Sequence, residues 1–322
     1  MNIAFTTDSN YIVPTFVAVF SLLTNYKGLS KIDIYIIVDS EKSTIKLTEM
    51  FDSLIGIFHN FDIHYININS CCENNNILTN IKSQATMYRL FIPHIIQIDR
   101  LLYIDSDVII EGDISEIFNW NRDNMCLSGV KDLSITTRVD RDHSMQLEIP
   151  NTSQYINAGV ILMNLNKIRE IGLHDKCLDL AQKKSFKFKD QDIINSVFYG
   201  KIGFLPFQAN VMCAYITRND WILYHVYGKD NINKARKEPI IIHYSGFRKP
   251  WKYRHMYGAY KWWKYINMLD EKTMQEYIMP FLEKQKASIV DQARERVETM
   301  IKYVGFFPVV KRIEKKLSTF SR

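Results

Sequence analysis

A doubly wound α/β sheet is the fold class the sequence predicts, and three observations predict it. Runs with strand-like alternation or β-branched content are separated by runs with helical spacing. Three of the strand-like runs end on an aspartate: Asp8, Asp39 and Asp105. Glycine and proline are sparse, 12 and 8 of 322 residues, so no long flexible linker breaks the alternation. Such alternation argues for a mostly parallel sheet, in which ligands bind beyond the carboxyl ends of the strands.

The elements follow in chain order. IAFTTD (3–8) is a short strand ending in a carboxylate, and YIVPTFVAVFSLLTNY (11–26) is a helix with an apolar face. KIDIYIIVDS (31–40) is a β-branched strand, TIKLTEMFDSLIG (44–56) has helical spacing, and FDIHYININ (61–69) is another strand. Residues 77–98 carry a mixed helical pattern broken near Pro93. LLYIDSDVII (101–110) reads as the next strand, and QYINAGVILMNL (154–165) as a strand pair or a strand and turn. FKDQDIINSVF (188–198) starts a helix, and PIIIHYSG (239–246) is a buried strand running into a turn. Asp8 and Asp39 alone mean little, because strand-to-helix turns favour Asp as a cap.

The chain is long enough for one large domain or two smaller ones, and 47% hydrophobic residues suits a globular protein. The start, MNIAFTTDSNY, lacks a basic segment followed by an apolar one, and no uncharged apolar run is long enough to span a bilayer. Five cysteines without motif spacing argue against a disulfide framework or a zinc site, so a cytoplasmic location is expected. The net charge of +6 is concentrated at the end: residues 302–322 carry six basic residues against Glu314, leaving the rest near neutral. A second basic cluster, 229–264, is interleaved with Trp251, Tyr253, Tyr257, Tyr260, Trp262 and Trp263.

LLYIDSDVII is the stretch that points to chemistry. A carboxylate in an apolar run must lose its charge or find a cation. On an extended strand, residues i and i+2 project from one face about 6.5–7 Å apart, so Asp105 and Asp107 address one site. Two hard oxygen donors suit Mg²⁺ or Mn²⁺. His243, at the end of a second apolar strand, offers a borderline nitrogen and tilts the choice to Mn²⁺. The plainer alternative is a capping Asp, a solvated Asp and a core histidine.

Read together, the motifs resemble glycosyltransferase family 8, the retaining hexosyltransferases of GT-A fold, and within it the bacterial lipopolysaccharide galactosyl- and glucosyltransferases. The resemblance is carried by IAFTTDSNY, ATMYRLFIP (85–93), LLYIDSDVII, YINAGVILMNL (155–165), KDQDIIN (189–195) and IHYSGFRKPW (242–251), in the family's order. It fades over 252–322. It implies a Rossmann-like domain with a mixed, mostly parallel sheet over 1–280, followed by a small helical basic tail over 281–322.

The resemblance also implies roles. Asp105, Asp107 and His243 match the metal ligands, with Asp105 and neighbouring Ser106 near the donor ribose. The metal, Mn²⁺ or Mg²⁺, bridges the phosphates of a UDP-hexose and neutralises charge on the leaving diphosphate. Lys249, in a GxxK turn with Gly246, reaches the same phosphates, and Gly246 permits close backbone approach. Ala4, Thr6, Asp8 and Asn10 line the uridine pocket, and Tyr11 is available to stack on the base. Arg89, Asn157, Ala158, Asp190 and Gln191 address the sugar. Arg89 is equally suited to a structural salt bridge with Asp190 or Asp105.

Retention poses a chemical problem. Retaining glycosidases place a carboxylate close behind the anomeric carbon, but the matching position here is the amide of Gln191. Asp190 is adjacent, and as helix neighbours the two side chains point about 100° apart. A front-face route is expected, with the departing phosphate oxygen helping to deprotonate the acceptor hydroxyl and Gln191 shielding an oxocarbenium-like species.

The expected acceptor is a lipid-linked or other surface glycan such as lipopolysaccharide core. Residues 120–150 and 210–230 are its expected surroundings and carry no transferable motif. The tail places Phe306, Phe307, Val309, Val310, Ile313 and Leu317 among basic residues, a composition suited to an anionic membrane surface. Peripheral attachment to the inner face of the plasma membrane is therefore an expectation. Nucleic acid is not an expected partner, because the charge outside the tail is near zero. The alternatives are a metal-dependent nucleotide-sugar phosphohydrolase, which would not need the sugar-side residues, and a non-catalytic nucleotide-sugar binding module.

Overall fold

The structure, a computed structural model, describes residues 1–71, 85–120, 124–137, 141–285 and residue 297. The chain divides into two units, Met1–His243 and Tyr244–Arg322.

The first unit is built on a seven-stranded sheet. Its strands are β1 (Asn2–Thr6), β2 (Ile32–Val38), β3 (Phe61–Asn67), β4 (Arg100–Ile104), β6 (Leu127–Lys131), β7 (Ile156–Asn164) and β8 (Ile202–Phe204). A second sheet has three short strands, β5 (Val108–Ile110), β9 (Val211–Met212) and β10 (Ile241–His243). The large sheet runs β3-β2-β1-β4-β7-β6-β8 and the small one β5-β10-β9. β3, β2, β1 and β4 are parallel; β7 is antiparallel to both β4 and β6, and β6 and β8 are parallel. The expected mixed, mostly parallel sheet is therefore present.

Both faces of the central strands are covered, which is why they read as unbroken apolar runs. β7 is buried from Ile156 to Met163. Helix α1 (Ile12–Asn25) is buried at every position from Ile12 to Leu23, and packs against β5 and helix α2 (Glu41–Ile55). The Ser40 hydroxyl caps α2 by accepting from Ser43 N at 3.3 Å. Further along, α3 (Leu173–Lys183) packs against α4 (Lys189–Val197). The mixed pattern of 77–98 resolves, in its described part, into a 3₁₀ helix, Ala85–Phe91, and a short α-helix, Ile92–Ile95, with Pro93 in its first turn.

One expectation needs correcting. LLYIDSDVII is not one strand: β4 ends at Ile104, β5 begins at Val108, and the two belong to different sheets. Asp105 N still donates to Gly159 O at 2.8 Å, one step beyond the β4–β7 ladder. Ser106 then turns its hydroxyl to Thr6 O at 2.9 Å, and Ile109 and Ile110 pair with β10 instead. Asp105 and Asp107 thus sit in the turn between the strands, and extended-strand alternation is not what brings them together.

The second unit carries a helix over Ala259–Ile266 and another over Met279–Lys284. Trp262 is 1% exposed and packs against Trp251 and Trp263. The guanidinium of Arg254 lies 3.8 Å from the centroid of the Trp263 ring. These tryptophans serve packing. The basic tail lies outside the described residues beyond Gln285, apart from Val297. No helix of the described residues is long and apolar enough to cross a membrane.

Candidate active site

The carboxyl ends of β4 and β10 meet at one point of the first unit. Donor atoms of Asp105, Asp107 and His243 all lie within 4.8 Å of one another. His243 Nε2 is 3.4 Å from Asp107 Oδ1 and 3.8 Å from Asp105 Oδ2. His243 is brought there by β10, which lies beside β5 in the small sheet, with His243 opposite Val108. Its other ring nitrogen, Nδ1, lies 2.9 Å from Asn210 Oδ1. Asn210 uses its amide nitrogen to donate to Asn157 Oδ1 at 2.9 Å. That bond leaves the Asn210 oxygen to accept from Nδ1–H, and the Nε2 lone pair then faces the two carboxylates. Two hard oxygens and one imidazole nitrogen with a fixed tautomer fit a divalent cation.

Gly159, which faces this cluster from β7, is required by space. A Cβ at Gly159 would lie 2.3 Å from His243 Cε1, 2.8 Å from His243 Nδ1 and 2.9 Å from Asp105 Oδ2. No other residue type fits there without moving the ligands.

Beside the cluster is a cavity of about 300 Å³, lined among others by Arg89, Asp105, Asn157, Gly159, Asp190 and Gln191. Arg89, 4% exposed, comes from the 3₁₀ helix and makes both expected ion pairs at once: Nη2 to Asp105 Oδ1 at 2.7 Å and Nε to Asp190 Oδ2 at 3.0 Å. Its Nη1 donates to Ala158 O and its Nε to Thr86 O, and the guanidinium lies 4.5 Å from the centroid of the Tyr103 ring. Tyr103 OH donates to Asp105 Oδ1 at 2.7 Å. Burial pushes the Asp190 carboxyl up to about 6, and Arg89 only partly opposes the shift. The same two carboxylates hold the Arg89 guanidinium charged despite its burial, well above its ordinary range.

Asp190 and Gln191 occupy the first turn of α4, and both line the cavity although they are helix neighbours. Gln191 is held by a buried polar network. Its Oε1 accepts from Asn157 Nδ2 at 3.1 Å and from Ala158 N at 3.0 Å. Its Nε2 lies 3.4 Å from Asp132 Oδ2 and 3.2 Å from Tyr155 OH. Asp132, 3% exposed, also accepts from Asn157 Nδ2 and Tyr215 OH. The acceptor-only carboxylate at the end of this chain sets every amide: both NH₂ groups face Asp132, so the Gln191 oxygen faces Ala158 N.

The residues expected to bind the nucleotide are placed less uniformly. Asp8 Oδ1 accepts from Asn10 N at 2.8 Å, a turn just past β1, and Tyr11 follows at the start of α1. Thr6 Oγ1 lies 2.9 Å from Tyr103 OH, and Ser106 is bound to Thr6 O. Ala4 is fully buried. Gly246 and Lys249 belong to the second unit. There Gly246 takes a φ of +87°, a left-handed conformation that favours glycine, and Lys249 Nζ donates to Tyr244 O at 2.8 Å. Gly159, Asn210, Asp132 and Tyr103 were not singled out as site residues by sequence. Gly159 and Tyr103 stand inside quoted motifs, whereas Asp132 and Asn210 lie in stretches without one.

Comparison with known proteins identifies the family. The profile described as "Glycosyl transferase family 8" matches residues 2–255. A lipopolysaccharide 1,2-glucosyltransferase of Escherichia coli is 28% identical over 265 residues, covering 78% of this chain and 72% of that protein. A lipopolysaccharide 1,3-galactosyltransferase of Salmonella typhimurium is 28% identical over 200 residues, covering 59% of this chain and 55% of that protein. The solved galactosyltransferase LgtC, in complex with donor and acceptor sugar analogs, superposes with a TM-score of 0.65 at 21% identity, over 85% of this chain and 99% of its own. The bifunctional glycosyltransferase WbbM superposes with a TM-score of 0.72 at 22% identity, over 89% of this chain and 52% of its own, so this chain spans about half of it. The two structures share the GT-A fold with this chain. With a family profile matched over most of its length and the cluster and cavity in place, the chain belongs to glycosyl transferase family 8.

Proposed function

We propose that the protein transfers a hexose, glucose or galactose, from its UDP conjugate to a glycan acceptor such as lipopolysaccharide core, with Mn²⁺ and with retention at the anomeric carbon. The observation that carries this reading is the convergence of Asp105, Asp107 and His243 at the edge of a cavity walled by Arg89, Asp190 and Gln191. Mn²⁺ bound there would supply Lewis-acid neutralisation of the leaving diphosphate. The protein's own residues do the rest. Arg89 fixes Asp105 and Asp190, so that one wall of the sugar pocket is rigid. Asn157 and Gln191 offer polar edges to sugar hydroxyls from a network already in place before substrate binds. Lys249 and Gly246, in the turn after His243, are proposed to meet the phosphates, and Asp8, Asn10 and Tyr11 to meet the uridine.

A front-face route is supported by how the candidate nucleophiles are engaged. The Gln191 oxygen already accepts two hydrogen bonds. Asp190 is 5% exposed and held by Arg89. These engagements weigh against either side chain as the nucleophile at the anomeric carbon.

The test is an incubation with UDP-glucose or UDP-galactose, Mn²⁺ and a panel of core oligosaccharides, with and without EDTA, followed by linkage analysis. An α-linked product formed only with metal is expected. UMP and hexose 1-phosphate in place of UDP and a glycan product would return the phosphohydrolase reading, and a β-linked product would overturn retention.

A further inference from the structure

A second group of metal-competent side chains lies away from the cavity, and it joins two segments that support it. His94 stands on the short helix Ile92–Ile95, and His174 and Asp175 stand in the first turn of α3. His94 Nε2 is 3.0 Å from Asp175 Oδ1 and His174 Nε2 is 3.9 Å from the same oxygen. The two imidazole centroids are 4.5 Å apart, tilted by 56°. One donor atom from each of the three residues lies within 4.8 Å of the others. A tetrahedral ion with bonds of about 2.0–2.2 Å needs ligand atoms about 3.3–3.6 Å apart, and the observed separations bracket that.

We propose that His94, His174 and Asp175 bind a borderline divalent cation of the Zn²⁺ class, as a structural clip distinct from the Asp105–Asp107–His243 site. The donor set of two imidazoles and one carboxylate is the kind that selects such ions over Mg²⁺ or Ca²⁺. Both rings turn Nε2 towards the Asp175 carboxylate, so the Nε2 atoms are the ones placed to meet an ion there. The frame is preorganised. Arg169 donates to the carbonyls of Pro93, Ile96 and Ile98, and Gln97 Nε2 to that of His94. The mouth is open, since the Asp175 side chain is 72% exposed.

The remaining cluster, Asp33, Asp62 and His64, is a poorer candidate because Lys31 already pairs with Asp62. The clip has a structural consequence. His94 follows the 3₁₀ helix that carries Arg89, and α3 packs on both that helix and α4. An ion at His94 and His174 would tie the Arg89 segment to the helix backing Asp190 and Gln191.

The experiment uses full-length protein without a polyhistidine tag, carrying Asp105→Asn and Asp107→Asn so that the cavity-side ligands are gone. Co²⁺ is titrated while its visible d–d absorption is followed, then displaced with Zn²⁺. One equivalent with tetrahedral absorption is expected, together with a Tm rise of about 5 °C at a hundredfold excess over Kd. His94→Gln and His174→Gln should each abolish the signal. Asp175→Asn, at an exposed position that cannot threaten folding, should weaken binding at least about tenfold. No binding in the double-Asn background, or binding that none of the three further substitutions alters, would overturn the proposal.

Discussion

Gly159→Ala is the smallest substitution that attacks the proposed metal site without removing one of its three side chains. The added methyl would lie 2.3 Å from His243 Cε1 and 2.9 Å from Asp105 Oδ2. Carbon atoms settle at about 3.5–4.0 Å, so the ring or the strand must yield by about 1.2 Å or more. Neither neighbour is loose. His243 is 3% exposed and pinned at Nδ1 by Asn210, and Asp105 is held by Arg89 and Tyr103. Metal–ligand distances tolerate only about 0.2 Å. Apparent Mn²⁺ affinity should therefore fall by about 10–100-fold, as when a partner of a metal ligand is lost. Overpacking should also cost about 1–3 kcal/mol of stability, roughly 2–4 °C in Tm for each kcal/mol. The assay is the Mn²⁺ dependence of UDP release from UDP-hexose, paired with a thermal melt in EDTA. A folded variant whose half-saturating Mn²⁺ concentration stays within twofold of the native value would refute the close-approach argument.

Three further outcomes are expected. Arg89→Met leaves the buried Asp190 and the half-buried Asp105 without their cation, so unfolding in urea should report a loss of about 3–5 kcal/mol, and a loss under 1 kcal/mol would contradict it. Asn210→Ala removes the acceptor for His243 Nδ1–H and should weaken Mn²⁺ binding by about 10–100-fold in the same titration, with the fold retained by circular dichroism. Asp190, raised from 3.8 to about 6 by burial, favours the folded state most when neutral: its contribution is complete below pH 3.8 and lost as pH rises through about 6. Between those limits the native protein should lose about 3 kcal/mol relative to Asp190→Asn, checked by urea midpoints at pH 4 and pH 7, and a constant difference would refute the assignment.

The sequence alone determined the class of fold and marked out the three residues that gather as the Asp105–Asp107–His243 cluster and several that line the cavity beside it. Strand and helix periods are local properties, so β1 to β3, α1 and α4 were legible within a few residues. The wording around Asp105, Asp190 and His243 carried the chemistry because those residues stand inside contiguous motifs. The split of LLYIDSDVII was not legible, since an apolar run does not state which sheet each half will join. That choice is made by β10, paired with β5 from more than a hundred residues away. The same is true of Asn210, Asp132 and the space that demands Gly159. A hydrogen bond across 53 residues, or a missing methyl facing a ring 84 positions later, leaves no local pattern. Only the tertiary structure decided which amide orients which, because a buried donor must find its acceptor in space whatever the distance along the chain.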